Sequence, residues 1–122
     1  MTSTEHPARA ASQRSMAMVT AGDREGWLDL FALDALVEDP IGVSMFDETG
    51  NGHRGRDAIG AFFDMAIAPN RVSFEIVRSH AAGNEVANVG TVTTTLPDGS
   101  VAAIDGVFTY KVDDEGRIER LV

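Results

Sequence analysis

Residues 72–76, Val72-Ser73-Phe74-Glu75-Ile76, decide how the rest of the chain is read. Apolar and polar side chains alternate there with period two, the pattern of a strand with one buried face. Upstream, the apolar residues recur mainly at helical spacing; downstream, the alternation persists. Residues 85–96 are rich in Val and Thr, Pro97-Asp98-Gly99-Ser100 is a turn, and residues 101–112 run back antiparallel. Asp113-Asp114-Glu115-Gly116 then turns the chain into a last strand over 117–122.

Working back from residue 72, Asp57 opens a helix whose Ile59, Phe62, Phe63, Ala66 and Ile67 form a broad apolar face, ended near Pro69-Asn70. Phe46-Asp47-Glu48-Thr49-Gly50-Asn51-Gly52-His53 reads as a turn-rich excursion or hairpin, preceded by a short strand over 36–41. A first helix over 8–21 carries Ala11, Ser15, Met18 and Val19 on one stripe and stops at Gly22. Asp23 caps a second helix, with Trp27, Leu30 and Phe31 on its apolar stripe. Helices first and a meander of long strands afterwards predict one α+β domain spanning 1–122, with about residues 1–7 disordered. Three helices from the N-terminal half pack over the concave face of a strongly curved, cone-shaped antiparallel or mixed sheet and enclose an apolar pocket.

Composition narrows the function. The 122 residues carry a formal net charge of -9, which opposes both phosphate neutralisation on nucleic acids and adsorption to anionic lipid. No apolar run approaches a membrane span, and the first dozen residues lack the apolar centre of a secretory signal, so cytoplasmic residence is expected. The absence of cysteine removes thiol nucleophiles and thiolate metal sites. His6, His53 and His80 match no metal-ligand spacing and read as surface or loop residues; neither metal nor cofactor is expected. A small, apolar ligand fits this balance best.

Chemistry is concentrated in Val37-Glu38-Asp39-Pro40, followed by Ile41-Gly42. Along a strand, Val37 and Asp39 share a face and Glu38 takes the other, so Asp39 looks inward; the proline holds the chain extended and withholds a donor. These residues alone are equally read as a strand end entering a turn. Together with Gly22-Asp23, Gly55-Arg56-Asp57-Ala58-Ile59, Ala61-Phe62 and Asp114-Glu115-Gly116-Arg117-Ile118, however, the motif resembles the ketosteroid isomerase branch of the nuclear-transport-factor-two-like, or SnoaL-like, superfamily over nearly the whole chain.

That resemblance implies a cone fold, a homodimer packed through the outer sheet face, and Asp39 as general base in moving a proton within a Δ5-3-ketosteroid through a dienolate. Ketosteroid isomerase is a familiar example of tuned carboxyl groups. A carboxylate in a dry cavity is a stronger base towards a carbon acid, and the developing enolate needs donors placed where its charge appears. The resemblance further implies ligand-lining roles for Ser15, Val19, Phe31, Phe62, Phe63 and Phe108. Here the chain departs from the pattern. Ser15 stands where the family carries its donor tyrosine, and Phe31 and Phe63 replace two supporting tyrosines. The family's second donor, a protonated aspartic acid, matches either Asp105, by its Ile104-Asp105 dipeptide, or Phe108, by a gapless count from the turn at Gly116. Alternation places Ile104, Gly106, Phe108, Tyr110 and Val112 on one face and Asp105 on the other, unless a bulge near Gly106 turns Asp105 inward. Without a bulge, Tyr110 is the remaining hydroxyl candidate, or else a core aromatic. Members of the family also continue past Leu121-Val122 into an aromatic segment; either such a tail has been omitted from this sequence or the pocket is more open and Asp39 wetter. Three readings follow: a cofactor-independent isomerase using Asp39 with Asp105 or Tyr110, a binding module for a steroid or other apolar polycyclic ligand that has lost its oxyanion hole, and, ranked last for want of further polar groups, another lyase, cyclase or epoxide-opening chemistry of the superfamily.

Overall fold

A computed structural model describes residues 6–38 and 47–122. Its elements are α1 (Pro7–Ala21), α2 (Arg24–Leu28), β1 (Phe31–Val37), β2 (His53–Arg54), α3 (Gly55–Phe62) continued by a π-helical turn (Phe63–Ile67), β3 (Arg71–Ala82), β4 (Glu85–Thr95), β5 (Val101–Val112) and β6 (Ile118–Leu121). The sheet has the order β2-β1-β6-β5-β4-β3 and is antiparallel except where β6 lies parallel to β1. This is the mixed, curved α+β architecture anticipated from the order of elements.

The punctuation of the helices follows local chemistry. Gly22 takes φ 70°, a left-handed conformation open to glycine at no steric cost, and the Gly22 and Asp23 N–H groups close the helix on Val19 and Met18 carbonyls. The Asp23 carboxylate accepts from Gly26 N–H at 2.9 Å and so caps α2. At the other end of α1, His6 Nδ1 accepts from Ala8 N–H while its Nε2 lies 2.6 Å from the Gly83 carbonyl, tying the start of the helix to the β3–β4 turn.

Three boundaries differ from the sequence reading. Helix α2 ends at Leu28, and Phe31 begins β1. In β1 the buried positions are Phe31, Ala35 and Val37, and its register against β6 shifts between Phe31 and Leu36; the resulting spacing of four imitates a helix. The third helix starts at Gly55, with Asp57 in its first turn, and widens after Phe62 into a π turn closed by Ala68 N–H on the Phe63 carbonyl at 2.8 Å. That widening lets adjacent Phe62 and Phe63 both enter the core.

Trp27, Phe31 and Phe63 centre that core, with Trp27 edge-on to Phe31 at 4.8 Å between centroids. The indole Nε1 donates to Ser15 Oγ at 2.9 Å. Replacing Ser15 by Ala strands a buried N–H, so the Ser15→Ala variant should lose about 1–3 kcal/mol in denaturant unfolding, with Ser15→Thr losing less. No change in the unfolding midpoint for Ser15→Ala would remove this bond from the account. No helix among the described residues is long and apolar enough to cross a membrane.

Candidate functional site

Small residues bring α1 onto the sheet: Ala8, Ala11, Ser12 and Ser15 are all buried on one stripe. The neighbouring stripe, Arg9, Gln13, Met16 and Thr20, therefore overhangs the sheet rather than touching it everywhere. Between this stripe and Phe74, Ile76, Ser79 and Asn88 lies a cavity of about 630 Å³, within the range of small-molecule sites.

A bulge makes this geometry. The β3–β4 register shifts between Ile76 and Arg78, so Val72, Phe74 and Ile76 face inward before it and Ser79 and Ala81 after it. Ser79 can then receive Arg9, whose Nε donates to Ser79 Oγ at 2.9 Å and whose Nη2 donates to the Ser79 carbonyl at 3.3 Å, holding the N-terminal half of α1 to β3. Opposite the bulge, Gly90 passes so close to β3 that an added Cβ would lie 2.1 Å from the Glu75 carbonyl oxygen.

The positions expected from the sequence are distributed as follows. Asp39, with Pro40, Ile41, Gly42, Met45 and Phe46, lies outside the described residues. Ser15, Val19, Phe31, Phe62 and Phe63 are packed in the core rather than on the wall of the 630 Å³ cavity, because they sit on the sides of their elements turned towards one another. Phe108 is half-buried and meets the cavity residue Phe74 edge-to-face at 6.5 Å. Tyr110 faces inward, is 3% exposed and, like Ser15, is packed in the core rather than on the cavity wall. Asp105 is the correction. The β4–β5 register runs unbroken through the Gly90–Gly106 pair, so no bulge turns Asp105 inward; it is exposed, opposite Thr91, whose hydroxyl donates to it at 2.5 Å.

Sequence reasoning missed Met16, Phe74 and Asn88 as cavity residues. Asn88 carried a legible signal, being a polar residue at the same parity as Val86 and Val92 in a Val-rich strand. Arg9 and Ser79 carried none, since their meeting depends on the bulge.

The charged groups around β1 are engaged. Glu38 pairs with Arg120 at 3.0 Å. His53, beside Val37 in the β1–β2 ladder, stacks on Phe62 at 4.8 Å with its Nε2 buried and unpartnered, so it is no simple surface histidine. At the entry to β2, Asp47 accepts from Gly52 N–H at 2.7 Å. That bond, helped by Thr49 and the Gly50 N–H, holds its carboxyl below the usual carboxylate range. Its contribution is therefore present above the ordinary aspartate pKa and is lost as pH falls through the depressed value. Asp98 is lowered likewise by the Ser100 hydroxyl and N–H in the β4–β5 turn.

A helix-covered, cone-shaped mixed sheet with a lined cavity is the frame of a small-molecule-binding fold. The profile of the SnoaL-like domain matches residues 12–121, and the chain belongs to the SnoaL-like family, in the ketosteroid isomerase-like part of the nuclear-transport-factor-two-like superfamily. The chain is similar to the steroid Delta-isomerase of Nocardioides simplex, with 33% identity over 109 residues, 88% of this chain and 81% of that one. Among solved structures, Δ5-3-ketosteroid isomerase from Mycobacterium sp. superposes with a TM-score of 0.92 at 45% identity, covering 96% of this chain and 91% of that one. RV0760c from Mycobacterium tuberculosis in complex with estradiol-17beta-hemisuccinate superposes with a TM-score of 0.90 at 39% identity, covering 96% and 92%.

Proposed function

We propose that this protein is a cofactor-independent steroid Δ5-3-ketosteroid isomerase. The observation that carries the reading is the cavity beneath α1, walled by Met16, Phe74 and Ile76, in a sheet whose strand β1 leads directly into Val37-Glu38-Asp39-Pro40. The Asp39 carboxylate takes a proton from the carbon between the carbonyl and the double bond. Electrons move onto the carbonyl oxygen as a dienolate, and the resulting carboxylic acid returns the proton to the far end of the shifted double bond. Atoms and charge balance without a cofactor.

The oxygen needs a donor, and Tyr110 is the hydroxyl we assign to it. Tyr110→Phe should lower kcat by about 10²-fold while leaving steroid affinity within a few-fold; an unchanged kcat takes Tyr110 out of the mechanism. Phe108, against Phe74, extends the wall, with Val19, Phe31, Phe62 and Phe63 behind it as packing support. The test of the function is the rise in ultraviolet absorbance as a Δ5-3-ketosteroid becomes the conjugated enone. Saturable turnover supports the reading.

One observation favours a second reading, a binding module without turnover. Ser15, at the donor-tyrosine position, is held by Trp27 in the core, and Asp105 lies on the outer face. Saturable binding of a phenolic steroid without any absorbance change would establish it, and neither signal would remove steroids as the ligand class.

The family resemblance also supports a homodimer through the outer sheet face. Val107, 57% exposed, pairs with Val89 on that face, and Val101 nearby is 62% exposed. Sedimentation should find a dimer for the wild type and a monomer for Val107→Lys; a monomeric wild type would end the idea.

A further inference from the structure

We infer that Asn88 is the residue that selects the ligand, by accepting a hydrogen bond from a ligand hydroxyl within the apolar cavity. The inference rests on the steroid-like ligand class proposed above.

Asn88 is 2% exposed, sits in the interior strand β4 and lines the cavity beside Phe74, Ile76 and Met16. Its amide orientation follows from its neighbours. Ser12 Oγ donates to the Arg9 carbonyl at 2.8 Å, so the serine oxygen can only accept from the group facing it, and that group is Asn88 Nδ2 at 3.0 Å. One N–H of the amide is thereby fixed to α1. Among the described residues none donates to Oδ1 and none accepts from the second N–H.

An oriented amide oxygen in a cavity wall shared with Met16, Phe74 and Ile76, and with the polar Gln13 and Thr20 of α1, is costly to cover with an apolar ligand, because it loses water and gains nothing. A hydroxyl placed on it restores the bond. A ketone cannot donate to Oδ1 and can only reach the remaining N–H. The chemistry therefore points to an alcohol-bearing polycycle over its deoxy counterpart, in the way that polar sites reject analogues lacking the expected group. Fixing by Ser12 matters because a free amide could rotate to suit either partner.

The experiment measures the dissociation constants of 17β-estradiol and of its 3-deoxy and 17-deoxy analogues for the wild type, Asn88→Val and Ser12→Ala, each checked by thermal unfolding. The expected result is that one deoxy analogue binds the wild type about 10-fold or more weaker than estradiol, and that Asn88→Val erases this difference by weakening estradiol alone. Valine suits an interior strand. Should Asn88→Val not fold, Ser12→Ala retains the amide without its anchor and is expected to reduce the discrimination several-fold; undiminished discrimination in that variant overturns the anchored-amide assignment. Equal affinity of the wild type for all three steroids overturns the inference while leaving the steroid reading standing, as does a discrimination that persists in Asn88→Val. Absence of binding by any of them overturns both together.

Discussion

Asp39→Asn should abolish isomerisation, lowering kcat by about 10⁴-fold while leaving binding of a phenolic steroid intact or tighter. Asparagine has nearly the shape of aspartate but cannot take a proton from carbon, so the substitution separates the base from the pocket. The separation is informative because the donors are sparse in this chain. With Ser15 held by Trp27 and Asp105 turned outward, a larger share of any acceleration must come from the carboxylate itself. Stopped absorbance change with retained binding is the expected pair of results. Turnover that survives Asp39→Asn at more than about a tenth of the wild-type rate would show that another group moves the proton.

Gly90→Ala is expected to be the most damaging single methyl in the sheet. Its Cβ would meet the Glu75 carbonyl oxygen at 2.1 Å and Ile76 Cα at 2.9 Å, both backbone atoms, so relief requires moving β3 itself. Overpacking against backbone should cost about 3 kcal/mol or more and lower Tm by roughly 10 °C. The partner across the ladder supplies the control: Gly106 pairs with Gly90, yet a Cβ added there meets no atom within 4 Å. Gly106→Ala should stay within about 1 kcal/mol of the wild type, on the stabilising side if strand entropy prevails. Equal effects of the two substitutions in thermal unfolding would refute the close-approach explanation. Because Gly90 lies against the bulge that turns Ser79 towards Arg9, the same variant should also loosen α1 over the cavity.

What could be read from sequence and what could not has a physical pattern. Features set by one or two neighbours were legible: the Gly22 stop, the Asp23 cap, the turns at Gly99 and Gly116, and the alternation that turns Val72 and Phe74 inward. Features set by pairing between distant segments were not. The bulge at Val77 changes the inward set of β3 from even to odd positions, and nothing local to Val77 announces it. Likewise the register shift in β1 spaced Phe31 and Ala35 four apart, so Phe31 read as helical. Asp39, singled out because charge in an apolar strand is conspicuous, lies outside the described residues. The cavity wall was displaced from the expected one because α1 presents to it a stripe one residue round from Ser15 and Val19.

The position of β6 has a consequence for how the chain is made. It lies between β1 and β5, with Ile118 N–H bonded to the Leu30 carbonyl and Glu38 N–H to the Leu121 carbonyl, so β1 acquires its long-range neighbour only from the end of the sequence. Glu38 and Arg120 are 82 residues apart. At synthesis rates of roughly 5–20 residues per second, the strand leading to Asp39 waits about 4–16 s on the ribosome before its β6 partner exists. During that interval the later hairpins, β3 with β4 and β4 with β5, can form from neighbouring segments, whereas β1, already able to pair with β2, keeps its β6 edge open. β1 is therefore the strand whose ladder is completed last, on its β6 side.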